Sequence, residues 1–212
     1  MNLDSLDFGI FCFVSLFTMI NPIGVVPVYV SMTGALSAQE AKKVALKAII
    51  FSLFFLSAFA FAGQFIFDFF GISIHSLRIV GGIIFFMVGY EMLQAKIVRT
   101  KFDEKEAGDY IDDIAITPLG IPMISGPGAI TTVIILMNES STTFEKVSLF
   151  ASIFLIMLIS FILLVSGKKI VSVMGENGKK VMMRVMGLIV MVIAVEFFFT
   201  GLKPIVQDIL KI

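Results

Sequence analysis

The sequence predicts an all-α membrane protein whose six transmembrane helices form two inverted three-helix repeats, the first helix of each broken at a Pro/Gly motif. Three observations predict this. The 212 residues are 58% hydrophobic and only 15% charged, more apolar than a soluble domain of this length. Several runs reach the ~20 residues that a spanning helix requires. Two motifs, Asn21-Pro22-Ile23-Gly24 and Ser125-Gly126-Pro127-Gly128, interrupt apolar runs about a hundred residues apart.

Taken in order, the first span is expected over about Phe8–Met32. Residues Met1–Asp7 carry Asp4 and Asp7 but no Lys or Arg, unlike the basic start of a signal peptide, so this run is expected to stay in the membrane. Within it, Pro22 lacks an N–H and its ring crowds the Thr18 carbonyl; Pro27 does the same to Ile23. Gly24 removes a side chain that would stiffen the join. In hydrocarbon such a break persists only where the freed backbone faces protein or a water-filled cavity.

A polar turn follows, Thr33–Lys43. Ser37 followed by Glu40 is a capping-box pattern that starts the second helix. The second span is expected over Val44–Phe67 and the third over Ser76–Ala95. A charged linker, Lys96–Asp113, separates the repeats, 1–95 and 114–212. The fourth span, Ile114–Met137, contains Pro118, Pro122 and Pro127. The fifth runs over Val147–Val165, a basic turn over Gly167–Lys180, and the sixth over Val181–Leu202, ended by Gly201 and Pro204.

Lys and Arg divide sharply between the two sides. Turns one, three and five hold twelve of the sixteen, from Lys42 to Arg184; Arg78, Lys146, Lys203 and Lys211 fall on the other side. Positive loops stay cytoplasmic, which puts both termini outside. Repeats of three spans enter the membrane from opposite faces, giving a pseudo-two-fold axis in its plane. Beyond the Pro/Gly motifs, Arg78-Ile79-Val80-Gly81-Gly82-Ile83 aligns with Arg184-Val185-Met186-Gly187-Leu188-Ile189; the offsets are 104 and 106 residues.

The chemistry sits at the breaks. Each leaves half-helix N–H groups without intrahelical partners, which suit a carboxylate, and carbonyls that suit an ammonium or a cation. Such a pair holds a zwitterion with no ionised side chain. Asn21 and Ser125 occupy matching positions as adjustable donors and acceptors, and Gly24, Gly126 and Gly128 admit a small ligand close to the backbone. The plainer reading, prolines that only kink packed helices, fits one motif better than two matched ones. Thr131 and Thr132 either line the cavity or return hydrogen bonds to helix carbonyls. Glu196, deep in the sixth span, is the candidate to carry a coupling proton, because an ionisable residue there faces a cavity or a partner; an interfacial position is its alternative. Glu91, Arg78 and Arg184 read as boundary residues.

Other classes find little support. The formal net charge is zero, so nothing attracts nucleic acid. There is no Walker loop, HExxH, paired CxxC or nucleophile–base pair, and the one histidine, His75, has no clustered metal-ligand partners, so neither an enzyme nor a metal site is expected. The single Cys12 excludes an intrachain disulfide.

At the two breaks the sequence resembles the MarC family of integral membrane proteins, which includes the SnatA-type transporters of small neutral amino acids. The resemblance rests on Asn21-Pro22-Ile23-Gly24-Val25-Val26-Pro27, on Thr117-Pro118-Leu119-Gly120-Ile121-Pro122, and on Ser125-Gly126-Pro127-Gly128-Ala129-Ile130-Thr131-Thr132. It covers nearly the whole chain outside the linker. It implies six spans, a prokaryotic plasma (inner) membrane, and secondary transport of glycine, alanine or similar substrates, with protons or sodium as coupling ion and no cofactor. The breaks, with Asn21, Pro22, Gly24, Ser125, Gly126, Pro127, Gly128, Thr131 and Thr132, are then the substrate-binding site. Export of amino acids or other small metabolites, an ion channel, and self-association of copies all stay open.

Overall fold

In the computed structural model, residues 3–34, 36–94, 107–173 and 175–210 are described. They are helical, with no strand among them: α1 (Leu3–Ile20), α2 (Pro22–Met32), α3 (Ala38–Phe70), α4 (Ile74–Leu93), α5 (Ala107–Ile114), an irregular coiled segment (Ala115–Ile124), α6 (Pro127–Glu139), α7 (Thr143–Val173) and α8 (Gly175–Leu210). Five helical stretches are long and apolar enough to cross a membrane, with α1 and α2 counted as one stretch, Asp7–Met32. A sixth forms if Tyr110–Ile124 and Pro127–Glu139, bent by 58° at their join, are taken as one span. Most of the Lys96–Asp113 linker lies outside the described residues; its end, from Ala107, is helical.

Local chemistry sets the helix ends. Ser37 starts α3 with a complete capping box: its Oγ accepts from the Glu40 N–H at 3.3 Å, and Glu40 Oε2 accepts from the Ser37 N–H at 2.8 Å. Gly71 ends α3 in the left-handed region, φ 62°, where a residue without Cβ has no steric cost. Ser73 then caps α4 through the Ser76 N–H at 3.0 Å. Glu145 reaches back from α7 to accept from the Ser141 and Thr142 N–H groups.

Two expected boundaries move. The basic turn expected over Gly167–Lys180 is helical on both sides of residue 174, which lies outside the described residues: α7 runs on to Val173 and α8 begins at Gly175. Residues 168–173 contain no Gly or Pro to stop a helix, so the coil continues past the apolar stretch. Helix α8 also passes Gly201 and Pro204 and ends at Leu210. Pro204 withholds an N–H from the Thr200 carbonyl, but residues 205–210 contain no further breaker and resume the coil.

Helices α4 and α8 lie antiparallel along their lengths. Gly82 abuts Ala194 and Phe198, Gly89 abuts Gly187 and Met191, and Gly201 abuts His75 and Arg78. Small residues let the two backbones approach, which is how helices associate where water supplies no hydrophobic drive. Helix α7 packs on α1, α2 and α3, while α3 packs on α6 and on Ala115–Ile124. Gly63 of α3 lies against Ile134 of α6; Gly167 of α7 lies against Val26 and Val30 of α2. Gly167 follows Gly63 by 104 residues, and Val30 precedes Ile134 by the same number.

At one end of the bundle, Tyr29 donates its hydroxyl to the Ala41 carbonyl at 2.8 Å and Tyr110 donates to the Met32 carbonyl at 3.1 Å. Lys47 pairs there with Asp112, both side chains about half exposed. An exposed pair contributes about 0–1 kcal/mol. Lys47→Gln is therefore expected to shift stability in detergent by less than about 1 kcal/mol, measured by thermal unfolding, with the shift vanishing in high salt.

Candidate functional site

The first break follows from Asn21 and Pro22. Helix α1 closes with the Asn21 N–H donating to the Phe17 carbonyl at 3.0 Å. Asn21 itself sits in the left-handed region, φ 45°, ψ 63°, which among non-glycine residues Asn and Asp tolerate best. Its carbonyl accepts from the Gly24 N–H at 2.9 Å, and its side-chain Oδ1 accepts from the same N–H at 3.3 Å. Pro22 occupies the first helical position of α2, where its missing N–H costs nothing. A Cβ on Gly24 would lie 2.6 Å from Asn21 Nδ2, so glycine here lets the Asn21 side chain fold over its own cap. The chain still runs on as one span through this point.

The second break is longer and sharper. Thr117 and Ile121 are extended, at φ −129°, ψ 120° and φ −126°, ψ 128°. Each precedes a proline, whose ring pushes the residue before it out of the helical region. The Ser125 N–H donates to the Gly120 carbonyl at 2.8 Å, Gly126 is the N-cap of α6 with no side chain to offer, and Pro127 opens the helix. The α6 start is thus capped by backbone alone.

Between the breaks lies a pocket of about 30 Å³ lined by Thr18, Met19, Ile20, Asn21, Gly24 and Val25 of the first span, Phe85 and Val88 of α4, Met123 ahead of the second break, and Val190 and Ile193 of α8. Of these walls only Thr18 and Asn21 offer polar side chains, and none is ionised. The volume holds one or two waters.

Of the predicted residues, Asn21 and Gly24 line this pocket and the others do not. Pro22 is buried beside it. Ser125 is fully buried, and its Oγ lies 3.5 Å from the Ser52 carbonyl oxygen. Pro127 lies against Gly81, Gly126 against the Phe85 ring, and Gly128 against the Phe197 ring. Thr131 is buried with no partner for its hydroxyl; Thr132 returns its hydroxyl to the Gly128 carbonyl at 2.8 Å. Glu196 is exposed on α8, away from the pocket lining.

Three participants escaped the sequence reading. Phe85 joins the two breaks, since its ring lines the pocket and also covers Gly126; it stands edge-on to Phe197, centroids 6.3 Å apart. Among 23 phenylalanines nothing marked it. Met123 was hidden in the same way. Ser52 faces Ser125, and its own hydroxyl is buried without a partner. A lone serine within Ile49-Ile50-Phe51-Ser52-Leu53-Phe54 was a visible signal.

A model of one protein family, described as MarC family integral membrane protein, matches residues 6–206. The chain is 40% identical over 209 residues to a UPF0056 membrane protein of Methanocaldococcus jannaschii, spanning 98% of this chain and 92% of that one. It is 41% identical over 191 residues to a UPF0056 membrane protein of Pyrococcus horikoshii, covering 90% and 92%. It is 38% identical over 200 residues to the UPF0056 membrane protein YvbG of Bacillus subtilis, covering 93% and 95%. No solved structure matches the chain.

Proposed function

The chain belongs to the MarC family of integral membrane proteins, and from that premise we propose that it is a secondary transporter of small neutral amino acids such as glycine and alanine. The observation that carries this reading is the pocket at the Asn21 break. Its walls are apolar, its polar groups are neutral, and the adjacent backbone is interrupted. A zwitterion needs a donor set for its carboxylate and an acceptor set for its ammonium, and helix ends supply both without a charged side chain. A substrate with net charge would leave an unpaired ion in hydrocarbon, at a cost of several kcal/mol.

Alternating access between two inverted repeats fits the packing. The glycine contacts at Gly63 and Gly167 are counterparts at one offset, with partners that shift by the same offset in the opposite sense. The first span leans on the fifth as the fourth leans on the second, and α2 meets α8 as α6 meets α4. The third and sixth spans, α4 and α8, cross each other antiparallel, as helices related by an in-plane axis do. In this reading the pocket opens to one side and then the other, with protons or sodium as the coupling ion and both termini outside. Glu196, exposed and not among the pocket's walls, is left out of the coupling step.

The test is uptake of labelled glycine and alanine into proteoliposomes. Saturable accumulation that collapses when an imposed proton or sodium gradient is dissipated is the expected result. Current that never saturates, or no movement of any of a panel of neutral amino acids under either gradient, would remove the proposal.

A further inference from the structure

Two hydroxyls in the core are left unsatisfied. Ser52 of α3 and Thr131 of α6 are 0% and 2% exposed, and neither side-chain oxygen has a hydrogen-bond partner. Elsewhere in the bundle Thr18, Thr33, Thr132, Ser140, Ser152 and Ser160 each donate to the carbonyl four residues back. Ser52 forgoes the bond its own helix offers, and a buried orphan of this kind calls for a bound water, an ion or a ligand group. Ser52 stands fourteen residues into α3 and eighteen from its end, about 21 Å and about 27 Å at ~1.5 Å per residue, so it lies in mid-span.

Its surroundings offer neutral oxygens. Ser125, also 0% exposed, brings its Oγ to 3.5 Å from the Ser52 carbonyl oxygen. Gly120 lies against the ring of Phe51, and its carbonyl accepts from the Ser125 N–H at 2.8 Å. Pro118 and Pro122 have no N–H to give to the carbonyls that precede them in this coil. Titratable groups are missing here: none of the buried side chains among the described residues is Asp, Glu, His, Lys or Arg. The buried phenol of Tyr29 and thiol of Cys12 keep their protons at neutral pH. His75 precedes Phe85 by ten residues, about 15 Å along α4. A proton therefore has no carrier beside the breaks, whereas a cation held by neutral oxygens has its donors.

We infer that the second break binds sodium between the Ser52 and Ser125 hydroxyls and the main-chain carbonyls of the coil, and that this ion drives the transport proposed above. The ion's task rests on that transport reading; its site does not. Interrupted backbone within a span supplies carbonyls to such an ion. A single charge needs no carboxylate, while a divalent ion would. Each serine gives the ion a lone pair and keeps its proton for a carbonyl nearby, which satisfies the orphan. The α6 N–H groups, which oppose a cation, lie beyond Pro127, so the ion sits on the coil side of Ser125. Met123, two residues before Ser125, is a wall of the Asn21 pocket, so ordering the coil around an ion sets that wall for the substrate. Thr131 lies one turn before Ile134, which abuts Gly63 of α3, and so shares the side that faces α3. Its hydroxyl offers the dehydrated ion a further oxygen along the same seam.

The test needs no substrate. Thermal unfolding of the full chain in detergent is followed as sodium chloride replaces choline chloride at constant ionic strength. A saturable rise in Tm with sodium, absent with potassium, is expected. Ser52→Ala and Ser125→Ala are expected to weaken the apparent sodium affinity at least about tenfold, the size of one lost contact to a charge. Ser160→Ala, whose hydroxyl is tied to its own helix, should keep the parent affinity. In choline, Ser52→Ala should unfold no earlier than the parent, because it removes an unpaired group; this separates a lost ligand from a damaged fold. No sodium effect, an equal effect of potassium, or a sodium effect that both alanine variants retain would overturn the inference. So would early unfolding of Ser52→Ala in choline without any sodium effect, the mark of a resident water. Uptake into proteoliposomes tells the two readings apart. Glycine accumulation driven by a proton gradient alone overturns the sodium site and leaves transport standing. Sodium binding that Ser52→Ala weakens, with no amino acid moved, keeps the site and removes the transport reading.

Discussion

Replacing Asn21 with leucine is expected to abolish amino-acid uptake and to destabilise the protein by about 2–3 kcal/mol, from a left-handed backbone that costs a branched side chain about 1–2 and a lost N-cap worth about 1. The two effects separate with a second variant. Asn21→Gly accepts φ 45° without strain and gives up only a few tenths of a kcal/mol as a cap. It should fold like the parent protein, yet it removes the amide that faces the pocket. Uptake in Asn21→Gly is expected to fall at least tenfold, because a dipolar substrate loses about 1.4 kcal/mol or more with a charge-assisted hydrogen bond. The measurement is the concentration dependence of glycine uptake beside thermal unfolding of both variants. Full uptake by Asn21→Gly would reduce Asn21 to a structural cap.

The second large effect is expected at Gly126 and Gly128, and the two glycines should answer differently to compensation. A Cβ at Gly128 runs into the Phe197 ring; one at Gly126 runs into the Pro122 carbonyl as well as the Phe85 ring. Forcing atoms into a packed site costs about 1–3 kcal/mol. A ring can be cut back, so Gly128→Ala combined with Phe197→Leu is expected to recover most of the lost stability and uptake. A backbone carbonyl cannot, so Gly126→Ala combined with Phe85→Leu is expected to stay impaired. The double-mutant cycle reads this as a coupling energy that is large for the first pair and near zero for the second. Equal rescue of both would mean that the Pro122 carbonyl does not confine the second break.

Which parts of this were visible in the chain follows from range. The breaks were legible because their cause is local: Pro22 and Pro127 act on their own neighbours, and Ser37 with Glu40 closes its box within three residues. Their shapes were not. Only tertiary packing distinguishes the first break, which stays within one span, from the second, which bends by 58°. The extended backbone at Thr117 and Ile121 was implied by the prolines that follow them, but the way it stacks Ser125 onto Ser52 was not. Pocket walls such as Phe85, Val190 and Ile193 carry no chemical mark, since apolar residues serve equally against lipid and against a substrate. Glu196 shows the same limit from the other side. The sequence put it within the sixth span, but a lone carboxyl does not disclose which way it points around the helix axis, and the structure leaves it exposed on α8.

The glycine contacts between α4 and α8 carry one more consequence. At Gly82, Gly89, Gly187 and Gly201 the nearest obstacles to an added Cβ include main-chain atoms of the opposite helix. Rods touching backbone to backbone at several heights have no slack for sliding, so they turn or tilt as a single beam. In the transport cycle proposed above, a rearrangement that exposes the Asn21 pocket would pivot the proline-bearing helices against that beam as a unit.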